Sequence, residues 1–219
     1  MQQIESLLPG KFYHIYNHAV GGRNLFREPD NYEYFLFLYD KYISPVADTY
    51  AWVLMPNHFH LLVRIKEEKK GGGCDGVAST PDRVSNPVRG KGPSLQFSKL
   101  FNSYAQAFNK WSGRSGSLFE RPFKRKFIDH DQYLKNVVLY IHNNPVHHRF
   151  CSHPLEYSWS SYITCISGKP TRLKRDQVLQ WFGSVDDLQK NSLGKNELKE
   201  IDMWLEIEPF HSDMTIIPV

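Results

Sequence analysis

The stretch TYAWVLMPNHFHLLVRI, residues 49–65, decides the reading of this chain. It holds two runs of β-branched, aromatic and aliphatic residues, 49–55 and 58–65, separated only by Pro56-Asn57, and so predicts an antiparallel hairpin. Side chains alternate across a strand. Phe59, Leu61, Val63 and Ile65 therefore share one face of the second strand, and His58, His60, Leu62 and Arg64 share the other. The two imidazoles project the same way, at a separation that one divalent ion can bridge. His-x-His on a strand also suits an ordinary surface pair, so the spacing alone does not decide between them.

Working outward, FYHIYNHAV (12–20) is short and aromatic, lies between Gly10 and Gly21-Gly22, and reads as a first strand. Residues 30–42 follow as a helix, with Asp30 as N-cap and Tyr34, Phe35, Leu38 and Tyr42 at helical spacing. Beyond the hairpin the composition changes. Segment 66–93 brings Lys66, Lys69, Lys70 and Gly71-Gly72-Gly73, and reads as a flexible loop whose six Lys and Arg are either surface decoration or neighbours of a DNA backbone.

A second helix is predicted from Ser94, with Phe97, Leu100, Phe101, Tyr104, Phe108 and Trp111 along one stripe and Gly113 at its end. SLFERPFKRKFI (117–128) reads as a further strand, and Pro122 argues for an edge position or a bulge. Residues 131–144 form a helix that Pro145 is expected to stop. The order is that of an α+β, ferredoxin-like βαββαβ sandwich with an additional C-terminal helix. Such a sheet is expected to carry helices on one face and leave the other open, the face that similar sheets offer to single-stranded nucleic acid. Residues 1–150 form the main domain. Residues 151–219, with helical pieces around 158–162, 176–181 and 185–193, read as a helical appendage.

Composition narrows the classes further. The chain of 219 residues has no long apolar run, which argues against a membrane span, and its start lacks the pattern of a secretory signal, so a cytoplasmic location is expected. Cys74, Cys151 and Cys165 form no CxxC spacing and leave one thiol over, against a zinc ribbon or a disulfide scaffold. A net charge of +4 with 14% aromatic residues is compatible with a polyanionic partner and is shared by many other proteins.

The last predicted helix adds the groups that two histidines lack. Tyr133, Tyr140 and Asn144 fall on one stripe, and Leu134, Val137, Val138 and Ile141 fall on the neighbouring apolar stripe that docks the helix. A tyrosine is a suitable nucleophile for reversible DNA cleavage, because the phosphotyrosine ester retains the energy of the broken bond. Asn144 can offer an amide oxygen to a cation held by the histidines, and Mg²⁺ or Mn²⁺ suits such a set. The same residues also fit a half-buried helix tyrosine followed by helix-stop chemistry, and the chain has 12 tyrosines, so periodicity alone leaves both readings open.

Four motifs together carry a resemblance: MPNHFHLLV (55–63), LFERPFKRKFI (118–128), YLKNVVLYIHNNPV (133–146) and YSWSSY (157–162). In order and spacing the chain resembles the REP-associated tyrosine transposases, among the HUH single-strand transposases of the insertion-sequence-200 type. The resemblance implies that residues 1–150 are a catalytic domain in which His58 and His60 bind the cation, Asn144 completes the metal site and Tyr140 is the nucleophile. It implies cleavage of single-stranded DNA beside an imperfect palindrome folded as a hairpin, leaving a 5′-phosphotyrosine link and a free 3′-hydroxyl, as monomer or homodimer. Segment 66–93 is longer than the connection it makes requires, and residues after 163 match none of these motifs.

Arg121, Lys124, Arg125 and Lys126 precede the last helix and are candidates for phosphate contacts, with a solvated, lysine-protected edge strand as the competing reading. Arg23 and Asn24 are further candidates for DNA contact. His142, His147 and His148 read as a solvated helix end or a phosphate contact rather than a second metal site. The rival functions are a non-catalytic single-stranded nucleic-acid-binding protein on the same fold and a metal-dependent hydrolase using water.

Overall fold

The computed structural model describes residues 6–67 and 92–192. The Gly-rich stretch of the 66–93 loop, Cys74 and most of the region after α6 lie outside those residues. Among the described residues the elements run β1 (Phe12–His18), α1 (Pro29–Tyr42), β2 (Ala47–Met55), β3 (His58–Ile65), α2 (Pro93–Trp111), β4 (Lys124–Ile128) and α3 (Asp131–His147). Three short helices follow: α4 (Tyr162–Ile166), α5 (Arg175–Phe182) and α6 (Val185–Asn191). The strands make one sheet in the order β2-β3-β1-β4, every neighbouring pair antiparallel. The architecture is α+β.

The β2–β3 hairpin forms as its sequence predicts, with Met55 opposite His58 across the Pro56-Asn57 turn. That turn is tied down from outside. The Pro56 carbonyl accepts the amides of Leu25 and Phe26 at 2.6 and 3.0 Å, and the Asn57 carbonyl accepts that of Ala19 at 2.9 Å. A register shift at Tyr50 lets Tyr50 and Ala51 both join the cluster packed on the α3 side of the sheet.

Phe59, Leu61, Val63 and Ile65 enter the core shared with α1 and α2, where Phe35, Phe97, Phe101 and Tyr104 are also buried. In α1 the buried stripe is Tyr32, Phe35, Leu38 and Tyr39, while Tyr34 is exposed. The helix also begins at Pro29 with Glu28, not Asp30, in the capping position. Likewise α2 starts at Pro93, and Trp111 at its end is exposed.

Three expectations are corrected. The second sheet face is not open: α3 crosses it, and Leu134, Val137, Val138 and Ile141 cluster with Ala51, Val53, Met55 and Leu62. The predicted 117–128 strand shrinks to Lys124–Ile128, because Pro122 has no amide hydrogen for the ladder; Phe119 makes only an isolated bridge to Ala19. The edge position expected from Pro122 does hold for β4. Third, α3 passes through Pro145 to His147. Proline removes one helical hydrogen bond, a local cost that the helix sustains here with the Pro145 ring buried.

The YSWSSY segment covers the free edge of β2. Leu54 N donates to Trp159 O and Ser161 N to Trp52 O, both at 2.9 Å, while the Tyr157 hydroxyl donates to Leu54 O at 2.7 Å. Covering an edge this way removes a row of unpaired backbone groups. Cys165, Val178 and Leu188 pack into the same cluster as α3.

Polar side chains are buried around α3 as well. His14 and His142 are fully buried, and desolvation pushes both down to about 3 from an ordinary 6.5. His142 meets the Ser161 hydroxyl at 2.9 Å, so it is a buried hydrogen-bonded group and not part of a solvated helix end.

Truncating Leu134 to Ala removes part of the α3 docking surface and is expected to cost about 2–5 kcal/mol in urea unfolding. A loss below about 0.5 kcal/mol, typical of surface positions, would contradict this packing. Acid is expected to destabilise the protein through its buried histidines, His14 and His142 among them. Above pH 6.5 both states are neutral there and nothing changes. Below it the unfolded chain takes up protons that the folded chain refuses, so stability falls as pH drops towards 3. At pH 5 each histidine contributes up to about 2 kcal/mol of this loss. Urea midpoints between pH 7 and 5, where most carboxylates are not yet titrating, measure it, and a flat profile would be contrary.

Candidate functional site

The site begins with the alternation of β3. Because Phe59 and Leu61 face the α1–α2 core, His58 and His60 face α3, at 2% and 1% exposure. From the other side, α3 brings Tyr140 and Asn144, one turn apart. Asn144 Oδ1 lies 3.0 Å from His58 Nε2, and the Tyr140 ring packs edge-on against His60 with centroids 5.2 Å apart. The four residues named from the sequence thus meet. Tyr133, two turns earlier, instead packs its ring near His130, centroids 5.9 Å apart.

Burial in this layer holds His58 and His60 well below the usual imidazole range, and neighbouring imidazoles deepen the effect: His148 and His18 on His58, His14 and His58 on His60. Both rings are therefore neutral near pH 7, the form that has a lone pair to give a metal. His58 Nδ1 lies 2.7 Å from Asn57 Oδ1. A neutral ring has one proton for two oxygen neighbours. With that proton donated from Nδ1 to Asn57, the Nε2 lone pair faces the Asn144 amide oxygen. In that tautomer two acceptors face each other at 3.0 Å, an arrangement that a cation held by both would relieve.

Asn144 Nδ2 is buried without a hydrogen-bond partner among the described residues, an uncompensated polar atom of the sort that functional sites retain. Among those residues no group of three or more His, Cys, Asp or Glu is placed to hold a metal, so any cation here relies on the amide together with His58 and His60.

Other imidazoles surround the pair. His14 Nε2 is 3.0 Å from His60 Nδ1, and the half-buried rings of His18 and His148 lie 5.2 and 5.0 Å from His58. His147 is exposed, so the His142, His147 and His148 cluster is divided among three environments. Reading by motif overlooked His14, His18 and Asn57. The signal was present: His14, Tyr16 and His18 recur at period two along FYHIYNH, which puts them on one face of β1 as His58 and His60 are on β3.

The basic set is divided. Register pairs Lys124 with Tyr16 and Lys126 with His14, so both belong to the histidine face, and Lys124 Nζ lies 6.0 Å from the Tyr16 ring. Arg125 pairs with Ile15 and turns to the other face, where its guanidinium lies 3.9 Å over the Phe123 ring and donates to Ser94 Oγ at 2.9 Å. Arg121, exposed, donates to Asn102 Oδ1 at 3.3 Å. Both arginines line a cleft of about 640 Å³ between α2 and residues 116–123, on the opposite face of the sheet from Tyr140. Arg23 and Asn24 are exposed on the connection after β1. Among the described residues no helix is long and apolar enough to cross a membrane.

No protein-family model matches the chain, and no curated protein matches it. Among solved structures it is similar to a REP-associated tyrosine transposase bound to a REP hairpin, with a TM-score of 0.57 at 13% sequence identity. The match covers 78% of this chain and 88% of that one. At this level of identity the likeness is one of fold.

Proposed function

We propose that the chain is a metal-dependent, transposase-like single-strand DNA endonuclease and strand transferase, of the REP-associated tyrosine transposase kind, acting beside DNA hairpins. The observation that carries this reading is the meeting of His58 and His60 with Asn144 and Tyr140 across one buried layer. The sheet order β2-β3-β1-β4 supports a ferredoxin-like description of the domain, and the hairpin-bound neighbour shares its fold.

In this reading the imidazoles of His58 and His60 and the amide oxygen of Asn144 hold Mg²⁺ or Mn²⁺. Such an ion, when bound, offsets the charge that builds on the non-bridging phosphate oxygens. The Tyr140 hydroxyl attacks phosphorus and gives up its proton. The bond to the 3′ oxygen breaks, that oxygen takes up a proton as a free 3′-hydroxyl, and the 5′ phosphate stays on Tyr140 as an ester. Joining is the reverse, with a 3′-hydroxyl attacking the phosphotyrosine. Lys124 and Lys126, on the same sheet face, supply positive charge for the incoming backbone.

One observation favours a second reading, a non-catalytic single-stranded nucleic-acid-binding protein: Tyr140 is only 3% exposed, so the residue assigned as nucleophile is enclosed. The two readings separate in one assay. Hairpin-containing single-stranded DNA incubated with Mn²⁺ is expected to give a covalent protein–DNA adduct on a denaturing gel, abolished by Tyr140→Phe and reduced at least about 100-fold by His58→Ala with His60→Ala. Binding without adduct or cleavage in any divalent metal would leave the binding protein. Cleavage without adduct would indicate a hydrolase using water.

A further inference from the structure

His14 sits in the middle of β1 at 0% exposure, and its Nε2 lies 3.0 Å from Nδ1 of His60. The two are diagonal neighbours in the β1–β3 ladder, since His14 pairs with Leu62 and Tyr16 with His60. Diagonal positions on one sheet face are within reach of each other's side chains. The two rings lie 14° from parallel with centroids 5.0 Å apart, and Tyr16 stacks on His14 at 4.9 Å. Packing therefore fixes both ring planes, and with them the hydrogen bond.

What that bond does depends on which ring holds the proton. A metal ion takes the lone pair of an imidazole nitrogen, so His60 can offer Nε2 only when its own proton is on Nδ1. That proton then needs an acceptor, and His14 Nε2 stands at hydrogen-bond distance. The other His14 nitrogen, Nδ1, is buried with no hydrogen-bond partner among the described residues. With Nε2 accepting, the proton of neutral His14 sits on this Nδ1, a desolvation cost that the bond to His60 has to offset. His58 has the same support, its Nδ1 lying 2.7 Å from Asn57 Oδ1.

We infer that His14 is a positioning residue for the metal site: it accepts the Nδ1 proton of His60 and so keeps the Nε2 lone pair of His60 available to a divalent cation. This rests on the reading of His58, His60 and Asn144 as metal ligands. His14 itself contributes no ligand through Nε2, which the bond to His60 occupies.

The test uses the full chain. In metal-free protein labelled with ¹⁵N-histidine, NMR is expected to show the His60 proton on Nδ1. Mn²⁺ affinity is then measured by electron paramagnetic resonance for the wild type, His14→Leu and His14→Gln, with a thermal melt of each. Glutamine can place an acceptor oxygen near the position of Nε2, and leucine cannot. Loss of an outer-shell partner of this kind typically weakens metal binding about 10–100-fold, so His14→Leu is expected in that range and His14→Gln within about threefold of wild type.

The inference is overturned if folded His14→Leu binds Mn²⁺ as tightly as wild type, if folded His14→Gln binds as weakly as that range, or if the wild-type His60 proton is on Nε2. Should His14→Leu not fold, His14→Gln and the tautomer decide. Wild-type protein that binds no Mn²⁺ would refute the metal site itself, and the role of His14 with it. Wild-type binding that His14→Leu leaves unchanged would refute the positioning role alone.

Discussion

The packing of α3 across the sheet is the contact on which the rest of the site depends. One stripe of the helix, Leu134, Val137, Val138 and Ile141, buries apolar surface against Ala51, Val53, Met55 and Leu62. The adjoining stripe, with Tyr140 and Asn144, is thereby held over His58 and His60. Enclosing neutral imidazoles in such a layer costs desolvation, and the apolar contacts on both sides of them offset that cost. The histidines stay uncharged because the helix keeps water away, and the helix can approach because they are uncharged.

The same constraint makes β3 rigid. Apart from the half-buried Arg64, its even-numbered and odd-numbered residues are both buried, on opposite faces, so neither a register slip nor a rotation of the strand is tolerated. The hairpin turn is pinned by amides of Ala19, Leu25 and Phe26, and the outer edge of β2 is covered by residues 157–161. These features hold His58 and His60 on an interior strand of the sheet. A side-chain cluster held this way is preorganised.

Much of this was legible in the sequence because period-two alternation and helical periodicity are local. The hairpin at 49–65, the facing of His58 and His60 and the docking stripe of α3 all follow from counting residues within one element. What escaped was decided between elements. An open sheet face was expected because the βαββαβ count assigns two helices to one side, and nothing local says that a third helix will lie across the other. Pro145 read as a stop because proline's local cost is known, whereas the burial that overrides it depends on partners distant in sequence. His14 was overlooked for the same reason: its alternation with Tyr16 and His18 was visible, but its partner is 46 residues away. Of the basic residues before α3, alternation alone separates Lys124 and Lys126 from Arg125, and which set joins the histidine face is set by pairing with β1.

Of the 12 tyrosines, the account assigns the chemistry to one, and trypsin isolates that residue conveniently. Cleavage after Lys135 and Arg149 releases NVVLYIHNNPVHHR, with Tyr140 as its single tyrosine, while Tyr133 falls in FIDHDQYLK. Protein reacted with hairpin-bearing single-stranded DNA in Mn²⁺, nuclease-trimmed and digested, is analysed by mass spectrometry. A nucleotide mass is expected on the 136–149 peptide alone. A nucleotide on the 127–135 peptide, or on any other tyrosine, would contradict it.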